Sequence, residues 1–219
     1  MVMEWQKPLK NLHYSDNMIY EIAEKAQKAI ENNCDAYELY IDETKLIELD
    51  SKQDELNFAK EEIDLGLGIR VIKDKKIGFA FTSNLEKIVE TANQAVENTK
   101  LNKTDENCAF SETGKVRDVK KVYDNKVTDL NLDESVEVLK TVISTATDSG
   151  CDVTGSGFSA SEGRSLIINS NDVSIENKGT GFGIGLSVTI QKDGKIAAAY
   201  NSQSSRFFEL NGVKLANEV

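Results

Sequence analysis

Blocks of this chain recur at an offset of 117 to 119 residues, and a chain that repeats itself must fold as related supersecondary units. Asp16 maps onto Asp133, Cys34-Asp35 onto Cys151-Asp152, and Gly66-Leu67-Gly68 onto Gly183-Ile184-Gly185, all at 117. Lys73-Asp74 maps onto Lys192-Asp193 at 119, so a two-residue insertion separates the blocks. The repeats are placed at about residues 16–100 and 133–219.

Each copy opens with an amphipathic helical pattern. Ile19, Ile22, Ala26 and Ala29 in the first copy correspond to Val136, Leu139, Ile143 and Ala146 in the second, on one helical face each. Asp16 and Asp133 stand where a short acceptor side chain would cap the helix start. The period then falls to two. Tyr37, Leu39 and Ile41 alternate with Glu38, Tyr40 and Asp42, as on a strand with one buried face. Strand-like runs at 166–168 and 173–175 are their counterpart in the second copy, and the runs 65–72, 77–82, 183–190 and 196–200 complete the set. Polar turns at Lys73-Asp74-Lys75-Lys76 and Lys192-Asp193-Gly194-Lys195 predict hairpins. A second helix in the first copy places Leu85, Ile88, Val89, Ala92 and Val96 on its apolar side, with Ser83 or Asn84 as cap. The same helix is expected to begin at Asn211, with Val213, Ala216 and Val219. The natural polypeptide is therefore expected to continue past Val219 into a carboxy-terminal domain absent here. The expected fold is α+β: two tandem helix-plus-antiparallel-sheet repeats within residues 1–219, sharing one sheet or forming two lobes.

Charge and composition exclude several classes of function. A net charge of -11 repels phosphate backbones, so nucleic acid is not an expected direct partner. No apolar run approaches the roughly 20 residues needed to cross a bilayer. The start of the chain lacks the pattern of a secretory signal, and a cytoplasmic location is expected. Cys34, Cys108 and Cys151 are scattered and odd in number, which favours reduced structural thiols. His13 is the only histidine, too few for the clustered ligands of a catalytic zinc, so no catalytic, metal or cofactor residue is expected in this region.

Local motifs yield little chemistry. Asp129 to Asp133 begins like a calcium loop, but Glu134 and Lys140 occupy the places of the required glycine and bidentate glutamate. The stretch Gly155-Ser156-Gly157-Phe158-Ser159-Ala160 matches a dinucleotide fingerprint, yet no helix follows to receive a phosphate, and a small-residue strand or bend explains it. Gly179, Gly181, Gly183 and Gly185 fall on one face of an extended chain, open to internal packing or to a peptide or subunit, with Thr180, Phe182 and Ile184 outward. Arg70 and Arg206 offer fork-like contacts to carboxylates. Arg70, Gly181, Gly183 and Gly185 are the candidate peptide or subunit contacts.

The segment DLGLGIRV at 64–71, followed by IGFAFTSN at 77–84 and its helix, resembles the most recognisable block of the TldD/PmbA family. Asn33 to Glu38 is similar to that family's passage from first helix to first strand, and Ile168 to Asp172 with Gly181 to Lys192 is similar to its second β-rich block. The resemblance spans about residues 17–203. It implies the amino-terminal module of a metallopeptidase or of its paired subunit, in a family associated with peptide-antibiotic maturation, antitoxin degradation and modulation of DNA gyrase. It also implies a histidine-glutamate zinc motif downstream in TldD-like members and none in PmbA-like partners, so zinc belongs to the full-length assembly if such a motif exists. No catalytic residue of the family has a matching position here. Implied partners are a TldD/PmbA-like subunit, in a homo- or hetero-oligomer, and an unfolded peptide substrate. The competing reading is a non-proteolytic binding or scaffold module.

Overall fold

The structure, a computed structural model, describes residues 17–209. Asp16, His13 and the helical pattern from Asn211 to Val219 lie outside the described residues. The elements run α1 (Met18–Ile30), β1 (Ala36–Lys52), β2 (Glu55–Lys73), β3 (Lys76–Thr82), α2 (Ile88–Asn98), α3 (Asn125–Thr128), α4 (Leu132–Asp148), β4 (Asp152–Asn169), β5 (Ser174–Lys192) and β6 (Lys195–Ser205). The six strands form one sheet in the order β3-β2-β1-β4-β5-β6. A helix followed by three antiparallel strands thus occurs twice, and both sets share the sheet, in the α+β class expected. The amide of Ser170 donates to the carbonyl of Tyr37 and that of Gln53 to Thr154, so β1 and β4 are antiparallel.

The hairpins at Asp74-Lys75 and Asp193-Gly194 have two-residue loops with positive φ at both positions, 51° and 58°, then 51° and 75°. That backbone suits the twist of the flanking strands. At the first turn the Asp74 amide donates to the Asp35 carboxylate at 2.7 Å, which helps to hold two non-glycine residues in the left-handed region.

The chain divides into two compact units, and the long strands contribute to both. The first unit takes α1, α2, β3, Ala36–Glu43 of β1, Asp64–Lys73 of β2 and the residues 164–177 around the β4–β5 turn. Its core joins Ile19, Ile22 and Ala26 of α1 to Leu39, Ile41, Leu67 and Ile69 of the strands and to Ile88 and Ala92 of α2. The second unit takes residues 44–63, α3, α4, most of β4, residues 178–192 of β5, and β6. Leu139, Val142 and Ala146 of α4 pack on Leu49, Phe158, Phe182 and Leu186. Phe182 lies edge-on to Phe158 at 5.5 Å and to Phe208 at 5.1 Å. Full burial of each such leucine or phenylalanine contributes about 1.5–3 kcal/mol.

Several expectations change. Asn131, not Asp133, caps α4: its side chain accepts from the Glu134 amide at 2.9 Å while the Glu134 carboxylate accepts from the Asn131 amide, a capping box. Asp133 sits within the first turn. Asn84 accepts from the Glu86 amide at a 3-10 turn, Leu85–Lys87, that leads into α2. Val89 is 45% exposed, because Thr91 and Ala95 complete the buried face of α2 instead. Thr180, Phe182 and Ile184 point into the core, and the glycine row of β5 lies on the opposite face. The runs at 173–175 and 183–190 belong together, since β5 continues unbroken from Ser174. The Gly155 to Ala160 stretch is strand, within β4.

Candidate functional site

In each unit one face of the sheet carries the helix and its core. The alternation of the strands sends every second side chain to the other face, and a groove lies there in both units.

In the first unit the groove has a volume of about 480 Å³. Glu38, Tyr40 and Asp42 of β1, Gly66, Gly68 and Arg70 of β2, and Phe79 and Phe81 of β3 line it. The register sets Phe79 opposite Arg70 and Phe81 opposite Gly68. The Phe79 ring leans diagonally over Gly68, where an added Cβ would touch it at 3.5 Å. Phe79 and Phe81 stack at 6.1 Å with 24° between their planes, and Phe81 is 77% exposed. The opposite face of β3 is closed by α2: a Cβ at Gly78 would overlap the carbonyl of Ala95. Asn98 and Asn102 donate at 2.8 Å to the carbonyls of Phe79 and Ile77, occupying backbone groups of this edge strand.

Charge in this groove is unequal. The Arg70 guanidinium donates to Glu38 and lies 5.5 Å from the centroid of the Phe110 ring, which is buried. Asp42 accepts at Oδ1 from the Tyr40 hydroxyl at 3.1 Å. Burial, followed by the Asp42 charge, raises the Tyr40 pKa, so this hydroxyl stays a donor at neutral pH.

The groove of the second unit, about 550 Å³, occupies repeat-related positions. An offset of 117 residues carries Glu38, Tyr40 and Asp42 onto Gly155, Gly157 and Ser159, and Gly66, Gly68 and Arg70 onto Gly183, Gly185 and Ser187. Strand register likewise relates Phe79, opposite Arg70, to Tyr200, opposite Ser187. A Cβ at Gly185 would meet the Tyr200 ring at 3.4 Å and its hydroxyl at 3.1 Å. At Gly181 and Gly183 the nearest atoms would be the hydroxyls of Ser161 and Ser159, at 2.8 and 3.0 Å. Neighbouring strands thus press side chains onto the glycine row. Of the four candidate contacts, Arg70 belongs to the first unit and Gly181, Gly183 and Gly185 to the second. Arg206 donates to the Thr180 carbonyl at 3.4 Å.

Two partly buried carboxylates act as fasteners. Glu176 accepts from the Tyr20 hydroxyl at 2.6 Å and from Arg164 Nε at 2.7 Å, tying α1 to the strands of the first unit. In the second unit Glu162 accepts from the Tyr123 hydroxyl at 2.6 Å, with Lys45 at 3.7 Å. Burial first, and then this hydrogen bond, push the Tyr123 pKa up to about 12.

Among the described residues no three of His, Cys, Asp and Glu converge where a metal ion could sit. The cysteines are free, and burial raises the Cys34 thiol further from its reactive thiolate form. The donors among the described residues, which include no histidine, do not fit a catalytic zinc. No helix among the described residues is long and apolar enough to cross a membrane.

Residues 37–99 match the PmbA/TldA metallopeptidase domain 1, and residues 125–219 match the PmbA/TldA metallopeptidase central domain. The chain belongs to the PmbA/TldD family. It is 30% identical over 142 residues to an uncharacterized protein of Methanocaldococcus jannaschii, MJ0231, covering 65% of this chain and 32% of that one. The fold is that of TldE from Thermococcus kodakarensis, with a TM-score of 0.80 at 24% identity over 90% of this chain. It is shared by a Thermotoga maritima protein solved under the description of a DNA gyrase modulator, with a TM-score of 0.79 at 17% identity, again over 90% of this chain. The chain spans 46% of each of those solved chains, and about a third of the archaeal relative.

The groove residues Tyr40, Asp42, Phe79 and Phe81 were not among the sequence candidates. The signal that could have found them is the alternation Phe79-Ala80-Phe81 beside Gly66-Leu67-Gly68, aromatic rings next to bare backbone on neighbouring strands.

Proposed function

We propose that this chain is the peptide-holding, non-catalytic module of a PmbA/TldD-type metallopeptidase assembly. The observation that carries the reading is the open groove of the first unit, where exposed rings flank a glycine floor beside an edge strand. Such a surface can take an extended peptide through apolar side-chain contacts and main-chain approach, with little demand on sequence. The single histidine of the chain fits a role outside the chemical step. The zinc and its ligands would then come from residues elsewhere in the assembly, and a TldD/PmbA-like subunit would be the partner.

The test uses the full-length protein in its assembly, with Phe79→Ser and Phe81→Ser together and an unfolded peptide as substrate. A groove that holds substrate predicts KM raised by about fivefold or more with kcat little changed, the signature of lost binding shared by ground and transition states. Unchanged KM in a correctly folded variant overturns the reading and leaves the scaffold alternative.

A further inference from the structure

The next step rests on reading the first groove as a peptide site and concerns which peptides it takes. We infer that the groove selects extended segments bearing an aromatic or branched apolar side chain and, two residues along, a lysine or arginine.

The apolar half follows from Tyr40, Phe79 and Phe81, which are 46%, 51% and 77% exposed on one groove. Large rings left in water favour contact with another apolar side chain. On the same groove Gly66 would have nothing within 4 Å of an added Cβ, so the floor has room for an incoming side chain.

The basic half follows from the charges. The groove is lined by two carboxylates, Glu38 and Asp42, and one guanidinium, Arg70, which Glu38 and the Phe110 ring already hold. Asp42 is left with only the neutral Tyr40 hydroxyl as its hydrogen-bond partner among the described residues. Asp64 lies two residues before Gly66 on β2, on the same strand face. The net charge of -11 adds a field of the same sign. An acidic segment is therefore repelled and a basic one attracted.

The spacing follows from β1. Tyr40 and Asp42 stand two residues apart on one face of the strand, roughly 7 Å along its backbone, with the Tyr40 hydroxyl leaning to the Asp42 carboxylate. An extended peptide alongside presents its own alternate residues at the same interval. The repeat-related groove has carboxylates of its own, Glu48 and Asp50, but no ring two residues from either on the same strand, and Gly157 and Ser159 stand where Tyr40 and Asp42 do.

Labelled short unstructured peptides that differ only in a central Phe-Ser-Lys, Phe-Ser-Glu or Ser-Ser-Lys, titrated into the full chain by fluorescence anisotropy, test the selection. The Phe-Ser-Lys peptide is expected to bind about tenfold more tightly than either of the others at low salt, with the preference over Phe-Ser-Glu shrinking as salt rises. Asp42→Asn should cut the lysine-over-glutamate preference by about threefold or more, and Phe81→Ala should weaken Phe-Ser-Lys binding, with circular dichroism confirming the fold of both. Equal binding of the lysine and glutamate peptides, or a preference that survives Asp42→Asn, overturns this inference while leaving a peptide groove standing. Binding of no peptide overturns both.

Discussion

The two grooves share a backbone and differ in what stands on it. Both have a Gly-x-Gly strand beside an edge strand whose aromatic ring leans over the second glycine, Phe79 over Gly68 and Tyr200 over Gly185. Around that common device the first groove carries Tyr40, Asp42, Arg70 and Phe81, and the second carries Gly157, Ser159, Ser187 and Ser202, with Glu48 and Asp50 as its carboxylates. The core-facing positions differ less in kind: Leu67 and Ile69 are matched by Ile184 and Leu186, all buried. The packed face of each repeat is set by the need to fill a core. The open face is free of that demand, and it is there that the two repeats differ most.

Glycine substitutions separate close packing from open floor, and they carry the largest expected effects. Gly78→Ala puts a methyl into the α2 backbone at Ala95, which cannot swing aside, and should cost about 3 kcal/mol or more by urea unfolding. Gly185→Ala crowds the Tyr200 side chain, whose ring can rotate away, and meets the Ser202 Cβ at an ordinary 3.6 Å, so a loss of no more than about 1 kcal/mol is expected. Gly66→Ala meets nothing and should be neutral or slightly stabilising, by up to about 0.5 kcal/mol, through a less flexible unfolded chain. A cost at Gly66 equal to that at Gly78 would break the account of the first groove as an open floor.

Helix caps sharpen the contrast between the repeats at the next level. Asn131→Ala removes a capping box from α4 and should cost about 1 kcal/mol. At the start of α1, Asn17 makes no side-chain cap bond, so Asn17→Ala should cost less than about 0.5 kcal/mol. Thermal melts of the two variants compare them directly.

The duplication was legible because its markers are chemically distinctive: Cys-Asp, Gly-x-Gly and Lys-Asp survive in both copies. Helix faces and the two β-turns were legible for the same reason, since apolar spacing and turn residues act locally. The full strands were not. Thr44 to Asp64 alternates weakly, with Lys45 exposed on one strand face and Glu48 and Asp50 on the other, yet it completes two strands of 17 and 19 residues through pairing with the rest of the sheet. Serines and glycines hid β4 in the same way, because they carry little hydrophobic period. The groove stayed hidden because its walls come from four strands whose pairing only the fold supplies.

The smallest effect concerns the two tyrosine–carboxylate pairs. Tyr123 is raised to about 12 by burial first and then by its hydrogen bond to Glu162, and that bond contributes stability that is intact below pH 10, the ordinary tyrosine range, and fades as pH rises through 12. Tyr20 is raised in the same direction, by its hydrogen bond to Glu176 first. Ultraviolet titration should show Tyr123 ionising last among the tyrosines that report singly, and Glu162→Gln should bring it down. Ionisation of Tyr123 near pH 10 in the unmodified protein would remove the Glu162 bond from the account.

Hydrogen–deuterium exchange on the full chain, with and without a saturating Phe-Ser-Lys peptide, asks most directly whether the two open faces have parted in function. The account predicts added protection across residues 66–70 and 79–82 of the first unit, and little change across 183–187 and 200–204 of the second. Equal protection of both stretches, or protection confined to the second, would contradict it.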